Sequence, residues 1–189
     1  MAENPPISVL IQPVDRPWTV DDLERLPEDG NRYEIANGSL LVTPPASVEH
    51  GAVALGLHEI LARQAPSGVK VVPTGIGVQL ARSLYIPDLL VVPLDILRRG
   101  GKAIAVRHVL LVVEVLSPTN SQNDLVLKRN DYEEAGIPSY WIIDPHIPTI
   151  KALELNDTGG YEERDTIHPG MEFRTDRPFP LTINPSALR

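Results

Sequence analysis

Glu114 stands inside the run HVLLVVEVL (108–116), where every other residue from Val109 to Leu116 is aliphatic and strand-forming. An ionised carboxylate in such a layer requires a cation, a bound metal or a raised pKa, because leaving it unpaired costs several kcal/mol. Upstream, Asp88 opens a second apolar run, PDLLVV; downstream, Lys128 lies on a stripe of helical spacing with Leu125, Tyr132 and Ala135. Two acids at or in core strands, followed by a lysine, are the group types of metal-assisted phosphodiester hydrolysis. Carboxylates brought close repel and stay ionised when a cation lies between them, and an ammonium can orient water and offset charge on the scissile phosphate.

Each residue also has a plainer alternative. Glu114 could be salt-bridged to a buried Arg or Lys, Asp88 could cap a turn at a strand entry, and Lys128 could pair on the surface with Asp124, four residues earlier. Glu34 in RYEIA is a third acid, facing away from Tyr33 and Ile35; a solvent-facing edge glutamate would read the same. His50, near a helix start, is placed to hydrogen-bond a phosphate or to satisfy a backbone group, while His58, His108, His146 and His168 show no metal-ligand spacing. Arg82, Arg98, Arg99, Lys102 and Arg107 lie in a stretch whose only acids are Asp88 and Asp95, so they form either a local positive patch or a set of solvated loop cations. Other chemistries lack their signatures. RRGGK has no P-loop spacing, Gly75 and Gly77 lack the third glycine of a dinucleotide fingerprint, no G-x-S-x-G elbow occurs, and the chain has no cysteine.

The elements that must position these groups can be read from local pattern. Residues 1–18 hold four prolines and read as an extended arm, and 19–189 reads as one domain. Thr19 and Asp22 resemble a capping box opening a helix over TVDDLERL. RYEIANGSLLVT carries Asn37-Gly38 between two strand-like runs, the signal of a hairpin. A helix is expected from Val48 to about Gln64, strands over VKVVP, GIGVQLA and LYIPDLLVV, a loop over LRRGGKAIA, and a second helix from about Asn120 to Ala135 that Gly136 ends. SYWIIDP reads as another buried strand, with Asp144 ending it at a turn, and 148–184 as a meander. The order predicts an α/β fold with a partly antiparallel sheet covered by helix on at least one face.

Composition narrows the partners. With 189 residues and 42% hydrophobic content the chain can bury one sizeable core. No run approaches the ~18 apolar residues of a membrane span, and a soluble, cytoplasmic protein with no membrane partner is expected. The net charge of −8 argues against a broad nonspecific nucleic-acid surface. Without cysteine, any metal must take oxygen or imidazole ligands.

At these residues the chain resembles a known family. YEIANGSLLVTPP, His50, IPDLLVV, LLVVEVLSPTN, the D-x-x-x-K-x-x-x-Y of Asp124, Lys128 and Tyr132, and GIPSYWIIDP resemble, in that order and over roughly 19–155, the Uma-two family of the PD-(D/E)XK, or restriction-endonuclease-like, superfamily. The resemblance implies an α/β fold with a mixed sheet core flanked by helices, and extra antiparallel strands near the C-terminus. It implies a DNA-cleaving enzyme in which Asp88, Glu114 and the carbonyl of Val115 hold Mg²⁺ or Mn²⁺. Glu34 corresponds to the additional acid on the first element. The superfamily's lysine stands two residues after the second acid, where this chain has Leu116; Lys128 on the following helix then takes its role. The reading is therefore a Mg²⁺-dependent nuclease hydrolysing DNA by in-line attack of water. Catalysis falls to Asp88, Glu114, Lys128 and Glu34, and substrate contacts to His50, Arg98, Arg99, Lys102, Arg107 and Tyr132. The alternative is a catalytically silent domain of the same fold that binds nucleic acid or protein, as a homodimer through the arm.

Overall fold

The computed structural model describes residues 8–117 and 122–188, and for 122–124 the backbone alone. Residues 1–7 of the expected arm, and the Asp124 side chain invoked for a surface pair with Lys128, lie outside the described residues. In chain order the elements are β1 (Val9–Ile11), α1 (Val20–Leu23), β2 (Arg32–Ala36), β3 (Ser39–Thr43), α2 (Val48–Gln64), β4 (Val69–Pro73), β5 (Gly77–Gln79), β6 (Leu84–Tyr85), β7 (Leu89–Pro93), α3 (Leu94–Arg98) and β8 (Ala103–Ala105). Next come β9 (Leu111–Val115), α4 (Gln122–Glu134), β10 (Ser139–Asp144), β11 (Thr149–Leu155), β12 (Tyr161–Ile167), β13 (Phe173–Thr175) and β14 (Leu181–Ile183).

The strands form a central sheet in the order β12-β11-β10-β9-β7-β4, a second sheet in the order β1-β3-β2-β6-β5-β8, and the hairpin β13-β14. Within the central sheet β9 and β10 run parallel, and the remaining pairs are antiparallel. Both faces of β7 and β9 are covered, which is why their sequences are continuously apolar rather than alternating. Val53, Leu57 and Leu61 of α2, with Phe173, Leu181 and Ile183 of the C-terminal hairpin, cover Val91, Val113 and Trp141 on one face. On the other, Leu41, Val78 and Tyr85 of the second sheet and Tyr132 of α4 cover Leu90, Val112 and Tyr140. Each such side chain contributes about 1.5–3 kcal/mol on burial. Val112 on that second face is the alternation partner of Glu114, so the acid points into the layer between the two sheets and α4.

Asn37 and Gly38 close the β2-β3 hairpin with φ of 50° and 82°, the positive pair a two-residue turn demands. At Gly38 a Cβ would also lie 3.0 Å from the Cβ of Pro17, so both conformation and space favour glycine there. Several elements differ from the expectation. The helix over TVDDLERL is only Val20–Leu23, although the Thr19 N–H does donate to the Asp22 carboxylate at 2.9 Å. The run 108–116 is a strand only over Leu111–Val115, because Val106–His108 form a 3₁₀ turn. LYIPDLLVV divides into two strands in different sheets at Ile86–Asp88, where Pro87 has no N–H for a ladder. LRRGGKAIA is not all loop; it carries the end of α3 and all of β8, the edge strand of the second sheet. Val9–Ile11 of the arm pairs with β3 as the opposite edge. Among the described residues no helix is long and apolar enough to cross a membrane.

Candidate active site

β7 and β9 pair antiparallel with Leu89 opposite Val113, so Asp88 and Glu114 take the next rung of the ladder. The Asp88 N–H donates to the Val113 carbonyl at 3.1 Å, continuing the pairing past the strand end. Glu34 comes from β2 of the second sheet, and Lys128 from α4, whose stripe is turned inward. The helix is oriented partly through Asp131, which accepts hydrogen bonds from Ser83 Oγ at 2.8 Å and Tyr85 OH at 2.6 Å. Asp88, Glu34, Glu114 and Lys128 are all buried.

These groups form one network. Lys128 Nζ donates to Glu34 Oε1 at 3.0 Å and to Glu114 Oε1 at 3.1 Å, and Tyr132 OH donates to the same Glu114 oxygen at 2.9 Å. The Ile86 N–H donates to Glu34 Oε1 at 2.6 Å. Asp88 Oδ2 accepts from the Val115 N–H at 2.8 Å and lies 3.0 Å from His50 Nε2. Asp88 Oδ1 accepts from Arg32 Nη1 at 2.9 Å; the same guanidinium donates to the Ile86 carbonyl at 3.0 Å and brings its Nε to 4.0 Å from Glu34 Oε2. Glu34 Oε2 and Glu114 Oε2 are buried and accept no hydrogen bond from the described residues.

The electrostatics reflect that arrangement. Burial alone would raise the Asp88 pKa, but the His50 contact, the Arg32 charge and the Val115 N–H together hold it down to about 2. Burial raises the Glu114 pKa, reinforced by Asp88 and Glu34 and opposed by Lys128. Burial would lower the Lys128 pKa, but the charges of Glu114 and Glu34 overcome it and keep the ammonium protonated. Burial also raises Tyr132, which stays a phenol and serves Glu114 as a donor. Asp88, Arg32 and His50 reach a cleft of about 340 Å³ walled by Pro44, Pro45 and Leu55; Glu114 and Lys128 lie behind them.

The structure thus brings together Asp88, Glu114, Glu34, Lys128, Tyr132, His50 and the Val115 backbone. His50 lies against the Asp88 carboxylate, and the Val115 N–H donates to the same Asp88 oxygen. Arg98, Arg99, Lys102 and Arg107 are not brought to the acids. Asp88 precedes β7 and α3 lies beyond its far end, and five strand residues span roughly 17 Å. Arg99 pairs with Asp95 at 2.8 Å, Lys102 with Glu24 at 2.7 Å and Asp21 at 3.3 Å, and Arg98 and Arg107 are exposed. Two residues escaped the sequence reading, Arg32 and Asp131. Arg32 had a signal: it stands two residues before Glu34 on one strand, and so on the same face.

The acids suit a divalent cation. Glu34 Oε2 and Glu114 Oε2 have no donor among the described residues, and Asp88 Oδ1 is held by the Arg32 side chain. An all-oxygen set is the one hard cations such as Mg²⁺ and Mn²⁺ take. Among the described residues no three His, Asp or Glu side chains already stand in a metal-binding arrangement, because Arg32 and Lys128 hold the acids instead.

Glu114→Gln tests the balance of charge. Lys128 keeps Glu34 as a partner when the Glu114 charge is removed, and one of three mutually repelling acids is gone. Stability in EDTA is expected to stay within about 1 kcal/mol of the parent in chemical denaturation; a loss of about 3–5 kcal/mol would show that the Lys128–Glu114 pair outweighs the repulsion.

A mixed sheet with Asp88 at the entry to β7 and Glu114 on the adjacent β9, packed between helices and a second sheet, fits the restriction-endonuclease-like α/β class. A model of the Uma2 family, described as "Putative restriction endonuclease", matches residues 20–186, and the chain belongs to that family. No curated protein matches the chain. Among solved structures it is similar to "a putative nuclease belonging to DUF820" from Anabaena variabilis ATCC 29413, with a TM-score of 0.72 and 18% identity over 91% of this chain and 97% of that one. That likeness carries the fold across nearly the whole length of both chains.

Proposed function

We propose that the chain is a nuclease that hydrolyses DNA phosphodiester bonds with Mg²⁺ or Mn²⁺ at the floor of the cleft. One observation carries the reading: two buried acids, Glu34 and Glu114, meet at Lys128, Asp88 stands at the entry to the next strand held by Arg32, and Glu34 Oε2 and Glu114 Oε2 have no hydrogen-bond partner among the described residues. A lone structural ion pair needs one acid and one cation; this cluster gathers three acids around Arg32, Lys128 and His50. Asp88 and Glu114, with the Val115 carbonyl, would hold the ion, and Glu34 would assist. The ion would supply Lewis-acid polarisation of the phosphate and a more acidic water.

The rest of the work falls to the chain. The Asp88 carboxylate is kept ionised by Arg32, His50 and the Val115 N–H, and its orientation is fixed before substrate arrives. Lys128, pinned between Glu34 and Glu114, holds a positive charge beside the reacting centre without needing to reorganise. Tyr132 fixes Glu114, and the cleft walls exclude bulk water from one side. The charged stretch 98–107 is not needed for this chemistry; DNA contacts there would be remote from the cut. The reading places the enzyme in the cytoplasm, acting on DNA as substrate.

Incubation of supercoiled plasmid with the purified chain tests the proposal. Nicked and linear forms are expected with Mg²⁺ or Mn²⁺ and none with EDTA. Intact plasmid under every metal condition would instead favour a silent domain of the same fold that binds nucleic acid or protein.

A further inference from the structure

Arg32 stands where the cluster opens. Its side chain is 19% exposed, against 2% for Asp88, 4% for Lys128 and 0% for Glu34 and Glu114, and it lines the cleft beside Asp88. It also occupies one oxygen a cation would need and lies 4.0 Å from a second. Asp88 Oδ2 is taken by the Val115 N–H and faces His50, which leaves Oδ1, and Oδ1 is the atom Arg32 holds at 2.9 Å. The same guanidinium neighbours Glu34 Oε2, an oxygen with no hydrogen-bond donor among the described residues.

Geometry decides whether a metal joins Arg32 or replaces it. Oδ1 is the Asp88 oxygen left on the cleft side, and Arg32 holds it, so a cation that takes Oδ1 has to take it from the guanidinium. Two cations crowded at one buried oxygen repel, so exchange is favoured over coexistence. We propose that Arg32 is an internal stand-in for the divalent cation: it competes with the metal for Asp88 and, once displaced, turns its guanidinium into the cleft to bind the substrate phosphate. The exit is open on the cleft side, and a planar five-donor head suits a phosphate. The inference rests on the proposed metal site and adds to it the residue that guards it and then reads the substrate.

Calorimetric titration of Mn²⁺ into EDTA-stripped protein provides the test, with Arg32→Met, Arg32→Lys and Asp88→Asn beside the parent. Arg32→Met should bind Mn²⁺ about tenfold or more tightly, a coupling of the usual size for two ligands of one site; Arg32→Lys should fall between it and the parent, and Asp88→Asn should not bind. Fluorescence anisotropy with a short DNA oligonucleotide in Ca²⁺ should show weaker binding by Arg32→Met. Equal or weaker Mn²⁺ affinity in Arg32→Met overturns the competition, and unchanged oligonucleotide affinity overturns the phosphate role. If the variants fail to fold, the parent alone decides: its Arg32 Nε–Hε resonance should shift on saturation with Mg²⁺, and Mg²⁺ binding without such a shift overturns the proposal while leaving the metal site standing. A parent that binds neither ion removes the site, and this inference with it.

Discussion

Lys128→Met should lose about 3–5 kcal/mol of folding stability in EDTA, the range for removing one member of a buried ion pair. The side chains are similar in length, so packing changes little, but Glu34 and Glu114 both lose the ammonium at 3.0 and 3.1 Å, and Arg32 alone is left against three acids. The deficit should depend on pH in a defined direction. Burial already raises the folded-state pKa of Glu114, and without Lys128, which opposes that rise, it climbs further above the unfolded value of about 4.3. Glu114 then binds its proton more readily folded than unfolded, so the penalty is absent below about pH 4, grows as pH rises from the unfolded value to the raised folded-state value, and levels off above it. Chemical denaturation of parent and variant from pH 4.5 to 7.5 reads the gap directly. A constant gap, or none, would mean that Lys128 does not compensate the acids.

Asp88→Asn should keep the fold and lose cleavage by on the order of 10³-fold or more, beyond the loss seen on removing a single charge-stabilising donor. Asparagine has nearly the same shape, its carbonyl can still accept from the Val115 N–H, and the β7-β9 ladder does not use the side chain. What disappears is the charge at the cleft floor, facing Arg32 and His50. Circular dichroism and a plasmid-nicking time course at equal protein concentration separate the two effects. A folded variant that cuts at the parent rate would take Asp88 out of the chemistry.

Where function could be read from the chain, the signal was local. Glu114 was conspicuous because one carboxylate interrupts an aliphatic run, Lys128 because it falls on the apolar stripe of its helix, and the β2-β3 hairpin because Asn37-Gly38 permits few other turns. Arg32 was hidden for the opposite reason. It reads as an ordinary polar residue at a strand entry, and the acid that gives it meaning is 56 positions away. The surroundings of the cations from Arg98 to Arg107 were hidden in the same way: Lys102 pairs with Asp21 and Glu24, which no window around it contains. The second sheet was equally obscure, since β5, β6 and β8 are two or three residues long and pair only through tertiary contact.

The central claim is that the buried acids form a divalent-cation site, and thermal unfolding in EDTA against millimolar Mn²⁺ tests it most directly. An ion bound only by the folded chain adds RT ln(1 + [L]/Kd), about 2.7 kcal/mol when the free ion is at 100 times Kd. The melting temperature of the parent should therefore rise by several degrees in Mn²⁺, and that of Asp88→Asn should not. Equal melting temperatures of the parent in EDTA and in Mn²⁺ would contradict the account.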